Sequence, residues 1–512
     1  MKKIISWSDE RLIFLLLTIS VSLSVYAANV FISNGLIFAN IDAATRLNTA
    51  RRIFDNLTPG LAQIGGIWLP FPHILMLPFV KSDYLWRTGI AGWFISGSAY
   101  ILSTIFVFKT LALMTKRNII AFIGGLVFAL NINVIFLQTT AMSEVFFIMC
   151  LCGLMYSFVK YIQTKSILTL LSTALFAFLG SLTRFEGFAV VIGSIAALSV
   201  YFAVHKQAAK KSEGTLILYI VPATLGMVMW SLYVWAIFGD PLYWLNYYGA
   251  IPSSATETVT EVAKPNILQA NNTFWTSVIH MTGVLTFVMG IIGFIISLVL
   301  KEYRKYCYIL FFPLFIFLFM IASLTRNTVI IQPSITWESF FDKSFGIAHE
   351  FNIRYGLSML PFLIVFSFLM TKKSRILFSM VSAAYVLQVL AYFYTPLNLT
   401  YQLSSNWHYA VSPASRWMTE NYDEGLILIA AGPHDREMIQ FGLPYKTYIH
   451  EGTQKYWKES LTDPRKYATW IFMEYTNEKD PVTEFLKDSP ILEMSYDLIY
   501  SDGTTRIYKQ KS

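Results

Sequence analysis

Leu12–Ser33, LIFLLLTISVSLSVYAANVFIS, contains no charged residue and is long enough to cross the hydrocarbon core of a bilayer, which takes about 20 apolar residues as a helix. Comparable runs recur at 85–108, 119–137, 187–204, 216–238, 276–300 and 306–324. Less clean runs lie at 141–159, 167–182, 355–370 and 376–395, so about eleven spans are predicted. Composition agrees: 55% of the 512 residues are hydrophobic and 14% charged, against about 25% charged in soluble domains. The first run is span-length with no small-x-small cleavage pattern before a soluble domain, so it is expected to remain as the first span rather than act as a signal peptide.

The net charge of +8 does not point to nucleic acid, because no single polar domain collects the basic residues. They cluster at Lys2/Lys3/Arg11, Lys109/Lys116/Arg117, Lys160/Lys165, Lys206/Lys210/Lys211, Lys301/Arg304/Lys305 and Lys372/Lys373/Arg375. On the positive-inside rule these mark cytoplasmic loops. The expectation is an integral plasma-membrane protein with a cytoplasmic N-terminus and everything after residue 396 outside.

Three stretches interrupt the apolar rhythm on the outer side, at 34–84, 239–275 and 325–353. The first joins an Arg-bearing amphipathic segment, 42–55, to Trp68-LPFPHILMLP, which reads as a helix, a turn and a return to the membrane interface. Two domains are therefore expected: a transmembrane catalytic domain over 1–396, and an outer α/β domain over 397–512. In the latter, Leu426-ILIAAG and Ala468-TWIFME read as strands, Asp435-REMIQFGL and Gln454-KYWKESL as helices, and Asp497-LIYSDGTTRIYK as a hairpin. Asp435, Arg436 and Glu437 read as solvated surface charges. Three cysteines, Cys150, Cys152 and Cys307, lie in or beside apolar runs and support neither a zinc site nor a disulfide framework.

Ionisable groups beside spans are costly, so those present call for a partner or a cavity. Asp42, Glu144, Arg184, Glu186 and Arg354 all fall at outer ends of predicted spans, as expected of one site. Each has a plainer alternative. Asp42 fits the N-cap of a 43–55 helix as well as a base. Glu144 suits a helix dipole. Arg184 and Glu186 suit the closing of a tight turn. His73 fits an interfacial histidine bonded to a carbonyl as well as a base or metal ligand. Arg51 and Arg52 fit either phosphate binding or the solvated face of an amphipathic helix. No phosphate loop, HExxH, GxSxG or spaced Cys/His cluster occurs.

Asp42 after the first span, Gln63-IGGIWLPFPHILMLP, Gln138-TTAMSE, Leu182-TRFEG and Asn352-IRYGLSMLP together resemble the GT-C superfamily of polytopic membrane glycosyltransferases. The branch is that of protein O-mannosyltransferases and the lipid A aminoarabinose transferase, glycosyltransferase family 39 in type. The resemblance covers most of the chain. It implies transfer of a hexosyl or pentosyl group, with inversion, from a polyprenyl-phosphate donor to a hydroxyl or similar nucleophile of a glycan, lipid or protein acceptor on the outer face. Asp42 matches the catalytic base and Arg354, with Tyr355 beside it, the holder of the lipid phosphate; Glu144, Arg184 and Glu186 match residues lining the same cavity. Ala43 stands where protein O-mannosyltransferases carry glutamate, a departure that counts against protein acceptors. No cofactor is required by the resemblance, and a single divalent metal held by Asp42, Glu144 and His73 fits the residue types. The competing readings are a transporter or flippase, which would place charges mid-membrane on broken helices within two related halves, and a polysaccharide polymerase or ligase.

Overall fold

A computed structural model describes residues 7–205, 209–248, 265–331, 352–392, 411–477 and 480–511. Most of the outer stretch expected at 325–353, the polar half of 239–275, and Lys2, Lys3 and Lys206 lie outside these residues.

The apolar runs form helices. Among the described residues eight are long and apolar enough to cross a membrane: Glu10–Ser33, Ile90–Thr115, Glu144–Thr164, Glu186–Val204, Ser212–Phe238, Arg304–Thr325, Ile353–Lys373 and Arg375–Tyr392. The other three of the eleven expected runs differ for local reasons. Run 119–137 divides into Asn118–Ala129 and Ile132–Leu137, because Asn131 caps a new helix by accepting the N–H groups of Asn133 and Val134. Run 167–182 gives the shorter helix Ile167–Ser181. Run 276–300 is not one straight helix: Ile267–Thr282 and Val284–Val299 meet at a 110° bend, and counted as one broken span the pair would make a ninth. Gly283 makes that corner at φ 86°, a conformation side chains disfavour. The carbonyls it orphans are satisfied by side chains: Asn131 and Asn133 donate to Met281 O at 3.2 and 3.0 Å, and Tyr392 donates to Thr282 O at 3.0 Å.

The chain divides into two compact units. The first comprises residues 1–29, 96–139 and 143–405, and holds most of the apolar helices. Its helix contacts rest on small residues: a Cβ on Gly293 would lie 2.2 Å from the carbonyl oxygen of Phe366, so only glycine allows Val284–Val299 to approach Leu360–Leu369 so closely.

The second unit joins residues 30–95 and 140–142 to 406–512. Its sheet has the order β2-β1-β3-β5-β4, with β1 Leu426–Leu428, β2 Tyr448–Ile449, β3 Ala468–Glu474, β4 Tyr496–Ser501 and β5 Thr505–Gln510. β1 runs parallel to β2 and β3, and β5 antiparallel to β3 and β4. Helices Ala431–Gln440 and Lys455–Thr462 follow β1 and β2, and Leu428, Ile449, Ile471, Met473, Val482 and Leu486 share the core. The expected strands, helices and hairpin are all present; β2 and the helices Pro413–Asn421, Pro481–Leu486 and Pro490–Ser495 are added.

Candidate functional site

The residues assigned to one outer face fall into two groups, one in each unit. In the first unit, Glu144 opens helix Glu144–Thr164, where its charge meets the positive end of the helix dipole. Arg184 and Glu186 stand in the turn between Ile167–Ser181 and Glu186–Val204. A Cβ on Gly187 would lie 2.2 Å from the carbonyl oxygen of Gly180, so the glycine of Leu182-TRFEG is what lets the two helix ends close. Arg354 lies on a 3-10 turn, Ile353–Met359, entered through Asn352 at φ 55°. That turn is pressed to helix Ile267–Thr282 at Gly356, where a Cβ would stand 2.5 Å from the Ser277 backbone.

These turns bring four charges into one buried lattice. Glu144 Oε1 accepts from Arg184 Nη1 and from Arg354 Nε, each at 2.8 Å. Arg184 also donates through Nε and Nη2 to Glu186 Oε1 at 3.0 and 2.8 Å, and through Nη1 to Ser143 Oγ at 3.1 Å. Its guanidinium lies 4.6 Å from the centre of the Tyr355 ring. Burial opposes the charge of Arg184, yet the carboxylates of Glu186 and Glu144 outweigh it and raise its pKa well above the ordinary value. Among the described residues two arginines and two glutamates meet here.

Directly along the chain from this lattice, Met359, Phe362, Leu363 and Phe366 line an apolar cavity of about 720 Å³. Its other walls come from Trp275, Gly290–Leu298 and Arg304–Phe317. The volume falls in the range of about 300–1,000 Å³ usual for small-molecule sites.

In the second unit, Asp42 lies half-buried in the first turn of helix Ile41–Arg51. It is not the cap: Asn40 holds that place, its side chain accepting the Asp42 N–H at 3.0 Å. Arg51 is committed within the fold, donating to Asp55, Asp83 and the carbonyls of Val80 and Lys81 at 2.6–3.1 Å. Neither alternative weighed for Arg51, phosphate binding or a solvated face, describes it; it staples the helix end. Arg52 donates through Nε to Gln63 O at 2.7 Å.

His73 is fully buried and stacks on Trp68 with ring centres 6.3 Å apart; Arg46 covers Trp68 at 4.4 Å. Burial, then Arg46 and Arg52, push its pKa well below the ordinary value, so the imidazole is neutral. Among the described residues no three His, Cys, Asp or Glu side chains come together as a metal ion requires.

Asp435 is the residue that sequence reasoning missed. It is 1% exposed, not a solvated charge. Asn48 donates to its Oδ1 at 2.7 Å and to its backbone carbonyl at 2.9 Å, while Asn48 Oδ1 accepts from Trp86 Nε1 at 3.0 Å. Burial pushes the Asp435 carboxyl up to about 7, against the Asn48 hydrogen bond and the charge of Arg52. The signal available was position: Asp435 follows the carboxyl end of a parallel strand, where α/β sheets place ligands and partners.

No protein-family model and no curated protein sequence matches the chain. Solved structures do. The archaeal oligosaccharyltransferase AglB from Archaeoglobus fulgidus, in complex with an inhibitory peptide and a dolichol-phosphate, matches over 99% of this chain and 75% of its own at 12% identity, with a TM-score of 0.49. ArnT from Cupriavidus metallidurans, bound to undecaprenyl phosphate, matches over 95% of this chain and 97% of its own at 12% identity, with a TM-score of 0.51. The ArnT likeness runs nearly end to end on both chains, and what it shows is the fold: a polytopic helical architecture of the GT-C type carrying a small sheet domain.

Proposed function

We propose that this protein is a membrane glycosyltransferase that moves a sugar from a polyprenyl-phosphate carrier to an acceptor on the outer face of the plasma membrane. The observation that carries the reading lies within the first unit: a buried guanidinium lattice, Arg184 and Arg354 on Glu144, continues along the chain into an apolar cavity beginning at Met359, five residues beyond Arg354. A ligand suited to both has an anionic head and a long hydrocarbon chain. ArnT, of the same fold, has undecaprenyl phosphate bound in its crystal structure, and a lipid of that class satisfies both features.

Asp42 is assigned as general base. It takes the proton from the acceptor hydroxyl as that oxygen attacks the anomeric carbon, while the bond from that carbon to the carrier phosphate breaks on the opposite face. The configuration inverts and the polyprenyl phosphate departs with the electron pair. Arg354 is assigned to that phosphate, because a guanidinium offers a permanent charge and paired donors. Glu144 orients Arg354, and Tyr355 and Glu186 fix Arg184 beside it. The lysine and arginine clusters orient the chain with its N-terminus in the cytoplasm.

One observation favours the transporter reading: the helix broken at Gly283, a device by which transporters build ion sites. Here its freed carbonyls are taken up by Asn131, Asn133 and Tyr392, which favours a fixed corner over a cation site.

The deciding experiment is lipid mass spectrometry on cells lacking the gene, complemented with wild type or Asp42→Asn. A polyprenyl-phosphate sugar that accumulates and is cleared only by wild type supports the assignment and names the sugar. Absence of accumulation, with the Asp42 variant complementing fully, removes it in favour of transport.

A further inference from the structure

A second cavity, about 380 Å³, lies at the other end of the helices that begin with Glu144 and Glu186. Helix Glu144–Thr164 has 21 residues, which at 1.5 Å per residue places the two ends about 30 Å apart. The cavity is lined by Lys116, Ile162, Gln163, Tyr201, His205, Lys305 and Tyr306, all in the first unit.

Its chemistry is one-sided. Lys116 and Lys305 are exposed on the rim with His205, and among the described residues lining it there is no carboxylate. Lys165 adds a further cation at the edge, donating to the Tyr201 hydroxyl. Glu302, three residues before Lys305, has its charge matched elsewhere, by Lys372 at 2.8 Å and Lys373 at 2.6 Å. The floor is made of Tyr201 and Tyr306, both buried. Each hydroxyl accepts a hydrogen bond, from Lys165 and from Gln163 at 3.3 Å, and so keeps its own proton to donate. Gln163 Oε1 accepts from Lys116 at 3.4 Å, which draws that lysine over the pocket.

Scattered lysines at helix ends are explained by the positive-inside rule alone. A concave pocket whose rim is cationic and whose floor offers hydroxyl protons is a more specific object, since it presents convergent donors to an anion. Its place at the ends of four membrane helices puts that anion at headgroup depth. We propose that this pocket binds the phosphate of an anionic phospholipid from the leaflet opposite the Glu144 lattice, with Lys116 and Lys305 as charge partners and Tyr201 and Tyr306 as donors. The inference is independent of the glycosyltransferase reading.

The test uses the full chain in nanodiscs of phosphatidylcholine with and without phosphatidylglycerol, read by thermal unfolding and by the lipids retained in native mass spectrometry. Wild type is expected to melt higher with phosphatidylglycerol and to retain it. Lys116→Gln/Lys305→Gln loses both effects, whereas Lys210→Gln/Lys301→Gln, which removes two exposed charges outside the pocket, keeps them. Equal loss in the two double variants means diffuse surface attraction and overturns the site, as does undiminished retention in Lys116→Gln/Lys305→Gln. Inorganic phosphate in pure phosphatidylcholine discs reproducing the stabilisation reassigns the pocket to free phosphate and overturns the lipid. Should the double variant fold poorly, Lys305→Gln alone carries the same expectation with a smaller shift.

Discussion

Glu144 and Asp42 both sit in the first turn of a helix, yet the protein treats them differently. Glu144 is 4% exposed and shares one oxygen between two guanidiniums. Asp42 is half-buried, on a helix whose capping is already supplied by Asn40. A carboxylate fixed by two arginines is a poor proton acceptor, because its charge is already stabilised. On the proposed function Glu144 organises charge and Asp42 takes the proton, and the variants below separate those two jobs.

The largest effect is expected from Asp42→Asn. Loss of a general base lowers turnover by roughly 10²- to 10⁴-fold, with the unfolding midpoint in detergent close to wild type. Turnover within tenfold of wild type would remove Asp42 as the base.

Glu144→Gln, unlike Asp42→Asn, should lower stability as well as turnover. It removes the carboxylate that Arg184 and Arg354 share while Arg184 keeps Glu186, so the loss should stay below the about 3–5 kcal/mol of a buried charge stripped of its partner. Chemical unfolding of the purified variant reads this directly; an unchanged midpoint would show that the lattice bears no structural burden. Arg354→Lys is expected to be milder. A point charge replaces a fork, and at about 1.5–3 kcal/mol for a charged hydrogen bond transfer should fall roughly ten- to hundredfold. Wild-type activity in that variant would confine Arg354 to holding Glu144.

How much of this was legible depends on the range of the interactions. The apolar runs announce themselves locally, so most of the helices were readable, with ends off by up to seven residues where 85–108 became Ile90–Thr115, and so were β1, β3 and the terminal hairpin. Local reading failed at Gly283, because hydropathy continues unbroken from 276 to 300 while backbone geometry does not. It missed β2, whose two paired residues are too few to form a pattern. The motif residues Glu144, Arg184, Glu186 and Arg354 could be picked out singly, but that two arginines share one oxygen is a contact across 210 residues. Asp435 was misread for the same reason. Asp-Arg-Glu looks like a solvated face, and the partner that buries it, Asn48, is 387 residues away.

That partnership yields the smallest effect, and it concerns pH. The Asp435 carboxyl is raised from the ordinary carboxylate range to about 7 in the folded protein, so the folded state holds the proton more tightly than the unfolded chain. Its contribution to stability is complete at acidic pH, below the unfolded pKa, and is lost as pH rises through about 7. His434, whose pKa Asp480 at 3.2 Å raises despite burial, acts in the same direction. His73 and His450 are depressed by burial and by Arg52, so they contribute above the ordinary imidazole range and lose that contribution as pH falls. The second unit is therefore squeezed from both sides near neutrality. Asp435→Asn keeps an oxygen to accept from Asn48 and removes only the alkaline loss due to this group. Hydrogen exchange across residues 41–51 and 431–440, compared between about pH 6 and about pH 8 after correction for intrinsic rates, should rise with pH in wild type and rise less in the variant. Parallel curves would mean that Asp435 is already ionised below neutrality, and that the helix carrying Asp42 is held by a charged hydrogen bond rather than by a titrating one.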